Sequence, residues 1–187
     1  MSAATGEPQA YPHPHVNEAW LAKLREDIID PALPIVDAHH HLWERNGRYL
    51  LDELRADLAS GHNVRATVFI QCGFAYRSGG PEELRPVGET EFVAGVAARA
   101  EAAGIRACNG IVGYCDFRRV DHVDAVLEAH IQAGGSRFKG IRQSAGWDPA
   151  IILTTATPAP KDLLLEPYWL ICEVIWLYNA ASSHRSP

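Results

Sequence analysis

The chain has 187 residues, 47% of them hydrophobic and 21% charged, with a formal charge of −6 at pH 7. That length supports one domain with a sizeable core, and the composition is that of an ordinary globular protein. The acidic balance argues against a nucleic-acid partner, which needs a basic face.

Cys72, Cys108, Cys115 and Cys172 show no CxxC or CxxxC spacing, so the expectation is free thiols in a reducing cytosol. Residues 1–15 are polar, carry Pro8, Pro12 and Pro14, and read as a flexible arm. They lack the basic start and apolar run of a signal peptide, which points to a cytoplasmic protein. The apolar stretch around Tyr168–Leu177 is interrupted by Glu173 and is too short to span a bilayer.

In chain order, Asn17 is a candidate N-cap for a helix carrying Trp20, Leu21, Leu24 and Ile28 at helical spacing, closed by Pro31 and Pro34. Ile35–His39 is a short apolar strand. Tyr49–Leu58 is a helix with Leu50, Leu51, Leu54 and Leu58 on one face, followed by Gly61. Ala66–Gln71 is a second strand, β-branched and aromatic. Glu89–Ala103 is a helix with Phe92, Val93, Val96, Ala97 and Ala100 inward and Gly104 as its stop. Ala107–Gly113 reads as a third strand, Asp121–Ala133 as a helix striped by Val123, Val126, Leu127 and Ile131, and Arg137–Arg142 as a fourth strand.

Strand and helix alternate four times, and the strands are short apolar runs. This pattern predicts an α/β fold with a parallel sheet buried on both faces. It leaves a doubly wound sheet or a closed barrel as the two solutions. A doubly wound nucleotide-binding domain calls for a Gly-rich turn after strand one, and His39-His40-His41-Leu42-Trp43 is no such turn. Beyond Pro149 the character changes: residues 150–187 form a divergent segment, loop-like at first and then rich in Leu, Ile, Trp and Tyr.

The chemistry concentrates at Asp37-Ala38-His39-His40-His41, the C-terminal end of the first strand. Alternation puts His39 and His41 on one side and His40 on the other. Two same-side imidazoles at that end can bind a divalent ion or polarise a substrate oxygen. His40 is read as structural. Gln71, at the end of strand two, is a candidate donor to a substrate oxygen. Asp116 is read as a loop carboxylate, and His13, His15, His62, His122 and His130 as surface or packing residues.

The stretch PIVDAHHHLW resembles the first strand of the amidohydrolase-related family, the metal-dependent barrel hydrolases that include fuconolactonase-like and 2-pyrone-4,6-dicarboxylate lactonase-like enzymes. The resemblance continues through YLLDEL, GHNVRATVFIQC, GIVGYCDF and FKGIRQ, over about residues 16–149. It implies a partial (β/α)8 TIM barrel of about four βα units, hydrolysing a lactone, an amide or a related ring with an activated water. Some members decarboxylate instead, and some lactonases of this type work without metal. Carried over, His39 and His41 match the family's HxH as catalytic and metal-binding residues, zinc being the expected ion. Arg142 matches a position that contacts a substrate carboxylate, a task suited to a guanidinium fork. Lys139 has the opposite parity to Arg142, so the two are not expected to face one pocket.

The family completes its site with a histidine near strand six and an acid after strand eight. After residue 142 this sequence offers His184, Asp148, Asp162, Glu166 and Glu173, none in such a context. The expectation is therefore an N-terminal half barrel, with residues 150–187 as a tail left by truncation or frameshift. Its exposed sheet edges invite a homodimer. Two functional readings stay open: a hydrolase for a small carboxylated lactone, or a catalytically inactive half barrel.

Overall fold

The computed structural model describes residues 17–44 and 47–143. The expectations placed on residues 1–15 and on 150–187, Cys172 and His184 included, lie outside these.

Asn17 caps α1 (Glu18–Leu21), its Oδ1 accepting from the Trp20 amide at 3.0 Å. The helix lasts one turn and does not reach Ile28 as the spacing suggested. Trp20 and Leu24 are 64% and 70% exposed, so the apolar stripe has little to pack on. A helix this short is not self-sustaining without such packing.

Strand β1 (Ile35–His40) follows, then a small antiparallel ladder, β2 (Trp43–Glu44) with β3 (Arg48–Tyr49), that no sequence pattern announced. Helix α2 (Leu51–Leu58) opens with Glu53 Oε2 accepting from the Leu50 amide at 2.8 Å. Three further units follow among the described residues: β4 (Val64–Ile70) with α3 (Val87–Ala102), β5 (Gly110–Tyr114) with α4 (Val123–Gly134), and β6 (Phe138–Arg142). α4 is preceded by a 3-10 turn at Val120–His122. Gly104, at φ +74°, ends α3 where the sequence placed the stop. β5 begins three residues later than the apolar run from Ala107, because Cys108 sits at φ +53° and cannot continue an extended strand.

The four longer strands form one parallel sheet in the order β1-β4-β5-β6. Each strand thus lies beside the next one delivered by a helical crossover. Leu54 of α2, Val93, Val96, Ala97 and Ala100 of α3, and Phe69 and Ile111 of the sheet share one core. Val123, Val126 and Leu127 of α4 extend it with Cys115 and Ile141. The helices therefore cover a single face. The other is less buried than the sequence implied: Val36 is 59% exposed, and Val64, Ala66, Val68 and Ile70 are half-buried. No helix among the described residues is long and apolar enough to cross a membrane.

Candidate functional site

The C-terminal ends of β1, β4, β5 and β6 bring the singled-out residues to one edge of the sheet, where parallel α/β folds place their chemistry. A register shift between Asp37 and His40 bulges the end of β1. Beyond it the expected division holds. His40 turns to the helix side, buried, with Nε2 2.9 Å from Thr67 Oγ1 and its ring edge-on to Phe69. Burial keeps His40 below the ordinary histidine value.

His39 and His41 meet on the other side with Nε2 atoms 3.3 Å apart and rings at 88°. His41 Nδ1 donates to the Ile70 carbonyl at 2.7 Å, and its ring stacks on Trp43. A carbonyl only accepts, so in the neutral ring Nδ1 carries the proton and Nε2 is the bare nitrogen turned toward His39. The Asp37 carboxylate braces the His39 amide at 3.1 Å.

Gln71 is buried and bonded within the chain through both ends of its side-chain amide. Its Nε2 donates to Tyr76 Oη at 2.8 Å, its amide donates to the Val112 carbonyl at 2.9 Å, and its Oε1 accepts from Arg142 Nε at 3.3 Å. Arg142 Nη2 also donates to the Gln71 carbonyl. Arg142 and Gln71 are thus brought together across β5, and the histidine pair is tied to the same stretch of β4 through Ile70. A bulge pairs Ile111 with Phe138 and Val112 with Gly140, leaving Lys139 as the extra residue, and its ammonium reaches back to the Ser136 carbonyl at 2.7 Å.

Two buried residues position this edge. Glu89, in the first turn of α3, accepts through Oε1 from the amides of Cys72 and Phe74 at 3.1 and 2.8 Å, fixing the loop that follows Gln71. Burial pushes its carboxyl above the usual range, and the backbone amides pull the other way. His130 donates from Nε2 to the Tyr114 carbonyl at 2.9 Å, meets Thr90 Oγ1 through Nδ1 at 2.8 Å, and stacks on Phe138. It is a packing residue, as expected. Glu89 gave no sequence signal, since an acid in a helix's first turn ordinarily reads as a surface charge favoured by the dipole.

A cleft of about 620 Å³ opens between the loops after β4 and β5, with Tyr76, Arg85, Tyr114 and Asp116 in its wall. It does not include His39 or His41. Asp116 is bound by Arg118 at 2.8 and 2.6 Å; burial pushes its carboxyl up, but these bonds outweigh it and hold it below the usual range. His122, also in the cleft wall, lies 3.6 Å from Glu83. Cys72, Cys108 and Cys115 are free and buried, and burial pushes the thiols of Cys108 and Cys115 up to about 12. Among the described residues no group of three His, Cys, Asp or Glu side chains converges as a metal site.

Fold and site together define an α/β protein built on a parallel sheet, with a histidine pair at the C-terminal end of its first strand. The chain is similar to the uncharacterized protein y4mH of Sinorhizobium fredii, at 31% identity over 158 residues, covering 72% of this chain and 45% of that protein. It thus spans about half the length of that relative. No family model and no solved structure matches it.

Proposed function

We propose that this chain carries the first part of a metal-dependent hydrolase of the amidohydrolase type, acting on a small carboxylated lactone or a related ring. The observation that carries the reading is the 3.3 Å separation of His39 Nε2 and His41 Nε2 at the end of β1. Two imidazole nitrogens bound to one tetrahedral zinc at about 2.0–2.1 Å stand about 3.3–3.4 Å apart. The His41 bond to Ile70 is the kind of outer contact that fixes a ligating histidine's tautomer. Helices on one face, with strands in sequential order, support assignment of the sheet to part of a (β/α)8 barrel.

A bound divalent ion would supply Lewis acidity, polarising a carbonyl and acidifying a water. His39 and His41 would hold it, and further ligands come from outside the described residues. Arg142, exposed at the end of β6, keeps donors beyond the two given to Gln71 and is the group to face a substrate carboxylate. Gln71 fixes that guanidinium.

The test is equilibrium binding of zinc, or of cobalt as a spectroscopic stand-in, to the full chain and to His39→Ala and His41→Ala. A panel of carboxylated lactones is then assayed with the metal-loaded protein. The expected result is one ion per chain, lost in either variant, and hydrolysis that follows metal occupancy. Metal uptake unchanged in both variants would overturn the reading.

A further inference from the structure

We infer that residues 17–34, the strap that leads into β1, form a surface on which two copies of this chain associate about a two-fold axis. The inference does not rest on metal at the histidine pair, because the strap is anchored at the opposite end of the sheet. The Asn63 side-chain amide donates to the Ala32 carbonyl at 2.8 Å, and Ile28 Cδ1 lies against Gly61, 2.9 Å from where an added Cβ would stand. Both anchors belong to the segment between α2 and β4, at the N-terminal ends of the strands.

Every residue of the strap is exposed except Ile28. Six of the seven large apolar side chains that stand exposed among the described residues lie on it or at the start of β1: Trp20, Leu21, Leu24, Ile29, Leu33 and Val36. Single exposed apolar residues are ordinary, but a gathering of this kind marks an interaction surface. A tryptophan and leucines set among charged residues match the apolar centre and polar rim of a protein interface. Residues 17–36 number 20, at the lower end of the roughly 20–30 a side that a standard interface takes.

The charges commit the surface to a second copy. Lys23 and Arg25 come first along the strap, and Glu26, Asp27 and Asp30 follow. None of the five has an ion pair among the described residues. Asp30 accepts only from the nearby Ala32 amide, at 3.0 Å. Two straps running antiparallel across a two-fold axis set the basic pair of each against the acids of the other, so every attraction occurs twice. An anionic membrane is disfavoured, since residues 17–34 carry four acids and two bases. The contact lies away from His39 and His41 and leaves their end of the sheet open.

Sedimentation velocity of the full chain, from low micromolar concentration upward, is the test. The expected result is reversible association to twice the 20.5 kDa of one chain. Trp20→Ser combined with Leu24→Ser is expected to weaken the dimer at least tenfold and to leave the unfolding midpoint of the monomer unchanged, both side chains being exposed. Charge reversal gives a second reading. Lys23→Glu with Arg25→Glu leaves residues 23–27 without a base, and Glu26→Lys with Asp27→Lys leaves them without an acid. Each of these is expected to be monomeric where the wild type is dimeric, and an equimolar mixture of the two to form a heterodimer. A monomer at every concentration, a dimer that survives the serine variant, or a mixture no more associated than its components would each overturn the assignment. A monomer that sediments with phosphatidylserine vesicles would overturn it in favour of a membrane, and a monomer that the serine variant destabilises would do so in favour of a surface covered within the chain. All runs are made in EDTA, so failure here leaves the zinc titration standing, and failure there leaves this one.

Discussion

His41 Nδ1 lies 2.7 Å from the Ile70 carbonyl oxygen, a contact between the ends of two adjacent parallel strands. It sets the tautomer of one histidine and the direction of a second, since His39 Nε2 stands 3.3 Å from His41 Nε2. The residue after Ile70 is Gln71, which holds Arg142. One turn of chain at the end of β4 therefore orients groups from β1 and β6 together.

The three consecutive histidines should separate cleanly by function. His39 is exposed, and His39→Asn is expected to change stability by no more than about 0.5 kcal/mol while abolishing zinc binding. His40 is buried against Thr67, so His40→Asn should cost about 1–3 kcal/mol and leave zinc uptake per folded molecule intact. Urea unfolding and a zinc titration on each variant give both readings. Zinc affinity that follows stability across the two variants would remove the metal assignment.

Acid should destabilise the fold through its buried histidines. Burial depresses both His40 and His130 below the ordinary value of 6.5. As pH falls through 6.5 the unfolded chain takes up protons that the native state refuses, so native stability drops. The slope is at most about 1.4 kcal/mol per pH unit for each histidine, down to its folded value. Glu89 works in the opposite sense: its folded value is raised above 4.5, so the native state binds that proton first and gains stability as pH falls toward 4.5. Urea midpoints at several pH values between 7.5 and 5 should fall for the wild type and fall less steeply for His130→Gln. Parallel curves for the two proteins would mean that His130 titrates alike in both states.

Much of this architecture was legible in the sequence, and the exceptions have local causes. The parallel strands showed because Ile35, Val36, Val68, Phe69 and Ile70 sit in short apolar runs, and α3 and α4 because their buried positions recur at helical spacing. The histidine pair was legible because strand alternation alone separates His39 and His41 from His40. Trp20, Leu21 and Leu24 misled because a stripe says which face would be buried, not whether a partner exists. At Lys139 a bulge interrupts the period of two, so alternation alone does not set that residue's side. The β2–β3 ladder has two residues in each strand, too few to carry a pattern.

Glu89 should act through oxygen rather than charge. Its bonds from the amides of Cys72 and Phe74 and from Cys72 Sγ converge on Oε1. Glu89→Gln can keep that acceptor and is expected to cost no more than about 1 kcal/mol. Glu89→Ala leaves buried donors without a partner and should cost about 2–4 kcal/mol. Thermal or urea unfolding of both variants is the check, and equal losses would show that the charge itself matters.

Gly88→Ala should destabilise the protein, against the usual sign. Alanine inside a helix normally gains about 0.8–1 kcal/mol over glycine, and Gly88 is the second residue of α3. A Cβ there would stand 2.6 Å from the Arg77 amide nitrogen and 2.7 Å from the Ala75 carbonyl oxygen, both backbone atoms. Neither can swing aside as a side-chain tip does, and the Arg77 amide is already bonded to the Arg85 carbonyl at 2.9 Å. The loop must move as a unit, at a cost of about 2–3 kcal/mol, the upper part of the range for overpacking. Gly95, in the same helix with nothing within 4 Å of its Cβ position, is the internal control. Gly95→Ala should raise the unfolding midpoint and Gly88→Ala should lower it. Two variants that both stabilise would show that the loop between β4 and α3 yields freely, and that its packing on α3 does not set the shape of the cleft.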